Sequence, residues 1–188
     1  LCKVSASIGV SYYPQGEDID ADQLLRQADQ AMYFAKQAGK NRYHVFDTEK
    51  DRTLRTRHEG LDSIENALAN GQFLLYFQPK VNMRTGEVLG AEALIRWQHP
   101  TRGLLSPAFF IPIIENHPLG IDVGKWTIEA ALTQIEVWRK AGLHVPISVN
   151  IGARHLLQPD FIMHLRGMLS RHPGVQPQDL ELEILETS

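Results

Sequence analysis

From residue 86 onward, segments with strand character alternate with helical ones: strand 88–97, helices at about 106–116 and 122–141, strand 145–150, helix 159–171 and strand 180–185. Strands separated by helices pair side by side in parallel, because a crossover long enough to hold a helix returns the chain to the same end of the sheet. The pattern therefore predicts an α/β fold, and in α/β barrels the chemistry gathers at the carboxyl ends of the strands. One strand precedes the series. Residues 73–83 read as a strand and Arg84-Thr85-Gly86-Glu87 as a turn, so this strand is expected to pair antiparallel with 88–97. Ser106-Pro107 marks a helix start, and Ile128, Leu132, Ile135 and Trp138 recur at helical spacing before Gly142.

The first residues follow another plan. Residues 4–13 read as a strand, 21–38 as a helix stopped by Gly39, 42–46 as a strand and 47–51 as a charged loop. Helix 52–69, with Leu54, Leu61, Ile64 and Leu68 on one side, leads into the larger unit. A strand-helix-strand of this size is too small to be stable alone. The chain has 188 residues and a net charge of −3, which gives no basic field for a DNA or RNA polymer or for an anionic membrane. Cys2 is the only cysteine, so neither an internal disulfide nor a cysteine metal cluster is expected. The apolar runs are too short to span a membrane. The chain opens on Leu1 and carries no signal-peptide pattern, which suggests a piece of a longer protein in the cytoplasm.

The polar residues of the strands carry the chemistry. In 88–97, period two puts Val88, Gly90, Glu92, Leu94 and Arg96 on one face and Leu89, Ala91, Ala93, Ile95 and Trp97 on the other. A buried Glu and Arg on one face form either a mutual ion pair or part of a site. Asn150, at the end of 145–150, is either a turn residue bonding its own backbone or a site residue. Glu181 and Glu183 share a side of the last strand, opposite Leu180, Leu182 and Ile184. Two carboxylates and an amide carbonyl form a hard oxygen donor set, suited to Mg²⁺ or Mn²⁺. The eight histidines show no zinc-ligand spacing.

Glu92-Ala93-Leu94-Ile95-Arg96-Trp97 resembles the signature of the EAL family of cyclic di-GMP phosphodiesterases. Tyr76-Phe77-Gln78-Pro79-Lys80, Phe110-Ile111-Pro112-Ile113-Ile114-Glu115, Ser148-Val149-Asn150-Ile151-Gly152-Ala153-Arg154 and Glu183-Ile184-Leu185-Glu186-Thr187-Ser188 resemble further family motifs, in family order. Leu185 stands where the family usually has Thr. Ser7-Ile8-Gly9-Val10, Ala28-Asp29-Gln30-Ala31-Met32-Tyr33 and Ala35-Lys36-Gln37-Ala38-Gly39-Lys40-Asn41-Arg42 resemble the carboxyl end of a GGDEF diguanylate cyclase domain, without its signature loop.

The resemblance implies a GGDEF remnant over 1–47, a linker and leading helix over 48–70, and the first part of an EAL domain over 71–188. It implies a partial TIM-like barrel with an antiparallel first strand, preceded by a strand-helix-strand of an α+β domain. Glu92, Asn150 and Glu183 match metal ligands, and Gln78, Leu94 and Arg96 match contacts to the dinucleotide. Glu186 matches a residue that anchors an active-site loop. Lys36 and Lys40 fall where the cyclase family binds phosphate, although an exposed basic end completing a helix dipole serves equally. Glu181 has no role in the family and reads as a structural charge or a local bulge. The implied function is hydrolysis of cyclic di-GMP to the linear dinucleotide with two divalent ions, Mg²⁺ or Mn²⁺, in a parent that pairs through its EAL domain. A degenerate EAL domain that binds cyclic di-GMP without cleaving it is the alternative. The family completes its site with an adjacent Asp pair, a Lys and a further Glu on later strands, so the chain alone is expected to hydrolyse weakly or not at all.

Overall fold

A computed structural model describes residues 5–15 and 19–184, with 48–56 described through their backbone alone. The chain divides into two compact units, Leu1–His58 and Glu59–Ser188.

In the first unit β1 (Ile8–Val10) pairs in parallel with β2 (Tyr43–Val45), and α1 (Ala21–Gln37) makes the crossover. β1 is shorter than the expected 4–13, of which Val4 lies outside the described residues; its pairing stops because β2 offers only three partners. Asp20 caps α1 by accepting the Gln23 N–H at 2.6 Å. Ala31 and Ala35 are fully buried beneath the sheet-facing side of α1. Gly9 permits this packing, since a Cβ there would stand 1.8 Å from the Ala28 carbonyl oxygen. Gly39, Lys40 and Asn41 then leave the helix with φ of 110°, 59° and 48°. The charged loop expected at 47–51 is instead the start of α2 (Thr48–Ala69). Glu49, Lys50 and Arg52 are good helix formers, and no Gly or Pro interrupts them.

The second unit is built on one sheet in the order β3 (Phe73–Val81), β4 (Val88–His99), β6 (Ile147–Ile151), β7 (Leu180–Ile184), with β5 (Gly103–Leu105) attached to β4. β3 runs antiparallel to β4; β4, β6 and β7 are mutually parallel. This is the expected leading antiparallel strand followed by parallel strands. β4 extends to His99, beyond the expected Trp97, because β5 pairs with residues 97–99. The helix expected over 106–116 is a single 3₁₀ turn at Pro107–Phe109 and then α3 (Ile111–Ile114), the break falling at Phe110. α4 (Leu119–Lys140) starts three residues earlier than the expected 122. α5 (Ala153–Leu156) follows β6 directly, and α6 (Phe161–Arg171) makes the crossover to β7.

One face of the sheet is covered by α4 and α6. Ala93, Ile147, Val149 and Ile151 of the strands meet Ile128, Leu132, Ile135, Phe161 and Met168 there. Phe77 of β3 joins this layer through an edge contact of 5.0 Å with Trp138. A second cluster around Phe73, Trp97, Phe110 and Ile114 includes Ile64 and Ala67 of α2. Arg171 and His172, at the end of α6, hold Glu129 of α4 at 2.7 and 3.1 Å. Burial acts to raise the Glu129 pKa, but these hydrogen bonds outweigh it and hold the carboxyl below its usual range. The apolar parity of β4 thus faces the helices, leaving Glu92 and Arg96 to the opposite face.

Candidate functional site

The opposite face is assembled by register. Gln78 pairs with Glu92, Glu92 with Ser148, and Ser148 with Glu181; one step on, Asn150 pairs with Glu183. Partners across a ladder point to the same side of a sheet, so these residues, with Tyr76, Lys80, Leu94 and Arg96, share one surface. Lys80 Nζ lies 2.6 Å from Glu183 Oε1, although β3 and β7 are three strand steps apart. Three steps on a flat sheet are about 14 Å; the extended lysine and glutamate side chains cover most of that span, and the twist of the sheet toward this side brings them together. The polar face is concave.

Asn150 donates its amide nitrogen to Glu92 Oε1 at 2.8 Å. This overturns both simpler readings: Asn150 lies inside β6 rather than in a turn, and Glu92 and Arg96 form no ion pair with each other. Arg96 donates to the Ile95 carbonyl at 2.9 Å and sits over the Tyr76 ring at 5.6 Å. Gln78 is exposed beside Glu92, and Leu94 is half-buried opposite Tyr76. Glu186 lies outside the described residues. Lys36 and Lys40 belong to the first unit and are exposed; Lys36 lies in the last turn of α1, where it complements the helix dipole, and Lys40 follows the helix end.

Two residues of this face, Lys80 and Ser148, had no role assigned from the sequence, and Glu181, read there as a structural charge or a bulge, joins them. Lys80 Nζ contacts Glu183, Glu181 at 3.3 Å and the Ser148 hydroxyl. Ser148 is buried and donates to Glu181 Oε2 at 2.7 Å. The Glu183 hydrogen bond raises the Lys80 pKa above its ordinary value. Ser148 first and Lys80 second lower the pKa of Glu181, and Lys80 lowers that of Glu183. The unbroken β6–β7 register excludes a bulge at Glu181. The available signal was parity: Lys80 shares a face with Gln78, and Ser148 with Asn150.

The described residues hold no group of three His, Cys, Asp or Glu arranged for a metal ion. The candidate set is two carboxylates, Glu92 and Glu183, and the Asn150 amide. With its nitrogen committed to Glu92, Asn150 has its carbonyl oxygen left as a ligand. The set is all oxygen, and its chemistry fits a hard divalent cation.

An EAL domain family model matches residues 61–188. The chain belongs to the EAL family. A diguanylate cyclase GGDEF domain model matches residues 2–42 ahead of the EAL segment. The bifunctional diguanylate cyclase/cyclic di-GMP phosphodiesterase MucR of Pseudomonas aeruginosa is 35% identical over 188 residues, covering 99% of this chain and 27% of MucR. The cyclic di-GMP phosphodiesterase PdeR of Escherichia coli is 36% identical over 166 residues, covering 88% of this chain and 25% of PdeR. The chain thus spans about a quarter of the length of these curated relatives. Among solved structures, the PaMucR phosphodiesterase in complex with c-di-GMP matches with a TM-score of 0.65 at 34% identity, covering 69% of this chain and 52% of that one. The Xanthomonas citri FimX EAL domain in complex with c-diGMP matches at 0.63 and 25% identity, covering 72% and 52%. The parallel strands of the EAL segment and their helical crossovers are therefore part of a TIM-barrel-like fold.

Proposed function

We propose that the EAL segment serves metal-dependent hydrolysis of cyclic di-GMP to the linear dinucleotide in the protein to which it belongs. The observation that carries the reading is the Asn150–Glu92 hydrogen bond beside Glu183, on the concave face that also bears Gln78 and Arg96. Glu92, Asn150 and Glu183 would hold Mg²⁺ or Mn²⁺. When bound, such ions neutralise phosphate charge and make water acidic enough to serve as a nucleophile.

The protein's own residues do the positioning. Asn150 fixes the Glu92 carboxylate, so its geometry is set before a ligand arrives. Arg96, stacked on Tyr76, presents a planar donor fork suited to two oxygens of one phosphate. Gln78, exposed on the neighbouring strand, can donate to a base or a sugar. The matches to c-di-GMP-bound EAL domains and to named phosphodiesterases support this substrate. A cyclic dinucleotide substrate also fits a cytoplasmic site.

The test separates the chain from its parent. The longer protein should convert cyclic di-GMP to the linear dinucleotide with Mn²⁺, lose this with a chelator, and lose it in Glu92→Ala with little change in melting temperature. The 188-residue chain should give little or no product, because a closed eight-stranded barrel takes about 250 residues. Full turnover by Glu92→Ala, or by the chelated protein, would overturn the reading. Binding of cyclic di-GMP with no hydrolysis would make the domain a receptor.

A further inference from the structure

Lys80 is the one lysine drawn into the concave face among the described residues, and its placement is built. Its register partner on β4 is Gly90, and the Lys80 Cδ lies 3.9 Å from where a Gly90 Cβ would stand. No side chain rises from β4 at that point, so the lysine stem crosses the strand and delivers its ammonium to β6 and β7. There it contacts the Ser148 hydroxyl and bridges Glu183 at 2.6 Å and Glu181 at 3.3 Å. Glu181 has a second holder, accepting from Ser148 at 2.7 Å. Of the two carboxylates Glu183 is the one that Lys80 holds more closely, and it is also the metal-ligand candidate. With Lys80 on Oε1 only Oε2 of Glu183 is open, and an ammonium and a divalent cation held on one carboxylate repel each other.

We propose that Lys80 is a displaceable internal cation. It neutralises Glu183 while the metal position is empty and yields that carboxylate to an arriving divalent ion, keeping Glu181 and Ser148 as its own partners. Lys80 is therefore a positioning residue that sets metal affinity, and Glu181 is the acid that retains it. This inference rests on the metal reading of Glu92, Asn150 and Glu183.

Mn²⁺ binding to the 188-residue chain, followed by electron paramagnetic resonance, tests it. Lys80→Met should bind Mn²⁺ about three- to tenfold more tightly than wild type, because a competing charge is gone. Lys140→Met loses the same charge at the exposed end of α4 and should leave the affinity unchanged. In the unaltered chain, the Lys80 side-chain NMR signal should shift saturably as Mg²⁺ is added, while that of Lys140 stays in place; this readout does not depend on a variant folding. Equal or weaker Mn²⁺ binding by folded Lys80→Met overturns the displacement, as does a Lys80 signal indifferent to bound Mg²⁺. If neither wild type nor Lys80→Met binds Mn²⁺, the displacement falls, while the metal reading is decided separately by the chelator test on the longer protein. Binding by the variant alone supports both.

Discussion

Arg96 shows how much a single side chain does on the concave face. Its guanidinium is held by the Ile95 carbonyl on one side and the Tyr76 ring on the other, so it is aimed before a ligand binds. Lysine keeps the charge but loses the planar fork and most of the stacking. Arg96→Lys should weaken cyclic di-GMP binding about tenfold, or about 1.4 kcal/mol, while the melting temperature stays near wild type. Calorimetric titration checks this; an unchanged affinity removes Arg96 from the ligand contacts. Arg96, Glu92 and Asn150 were legible because each breaks an apolar strand pattern, where a polar residue needs a reason. Lys80 was not, because lysine at an exposed-looking strand position is ordinary. Its significance depends on the curl of the sheet and on Gly90 across the ladder, neither of which is local to Lys80.

At the scale of elements, the turn from β6 into α5 and α6 packs a histidine where none was anticipated. His155 of α5 is 3% exposed, its ring edge-on to Phe161 at 5.1 Å. Its Nδ1 has no hydrogen-bond partner and faces Gly124 of α4, where a Cβ would stand 2.5 Å away. Burial pushes its pKa down, Lys125 and His164 push the same way, and Asp122 and Asp160 oppose them. The fold therefore favours the uncharged imidazole. Between its folded pKa and the ordinary value near 6.5, the unfolded chain takes up a proton that the fold refuses, so stability falls as pH drops below about 6.5. Thermal melts across this range should slope downward toward acid. His155→Leu should flatten that slope more than it changes stability at neutral pH; parallel curves for the two proteins would exclude His155 as the source. Helix α4 itself was legible from its apolar spacing, and α5 was not. Four residues give no period to read, and what fixes α5 is the burial of His155 against Gly124, a contact between distant segments.

The second unit as a whole is a curled sheet whose outer strands, β3 and β7, each have a strand neighbour on one side only among the described residues. The alternation that announced parallel strands was readable because each crossover needs its own helix. The short pairings were not: β5 is three residues set against the end of β4, and the curl is a sum of small twists. An open strand edge is a template for another strand, and proteins blunt such edges with charge, proline or cover. β3 carries Pro79 and Lys80 near one end of its pairing, whereas β7 ends on Ile184, which is 60% exposed. β7 carries charge on its polar face through Glu181 and Glu183, but it has no proline and its other face is apolar, so its edge is the less protected one. The isolated chain should self-associate, with a sedimentation coefficient that rises with concentration. Ile184→Lys, which places a charge on that edge, should reduce the rise, while Val137→Lys, on the exposed side of α4, should not. A sedimentation coefficient independent of concentration in the unaltered chain would show that the edge is already satisfied. An equal response to both substitutions would place the contact elsewhere on the surface.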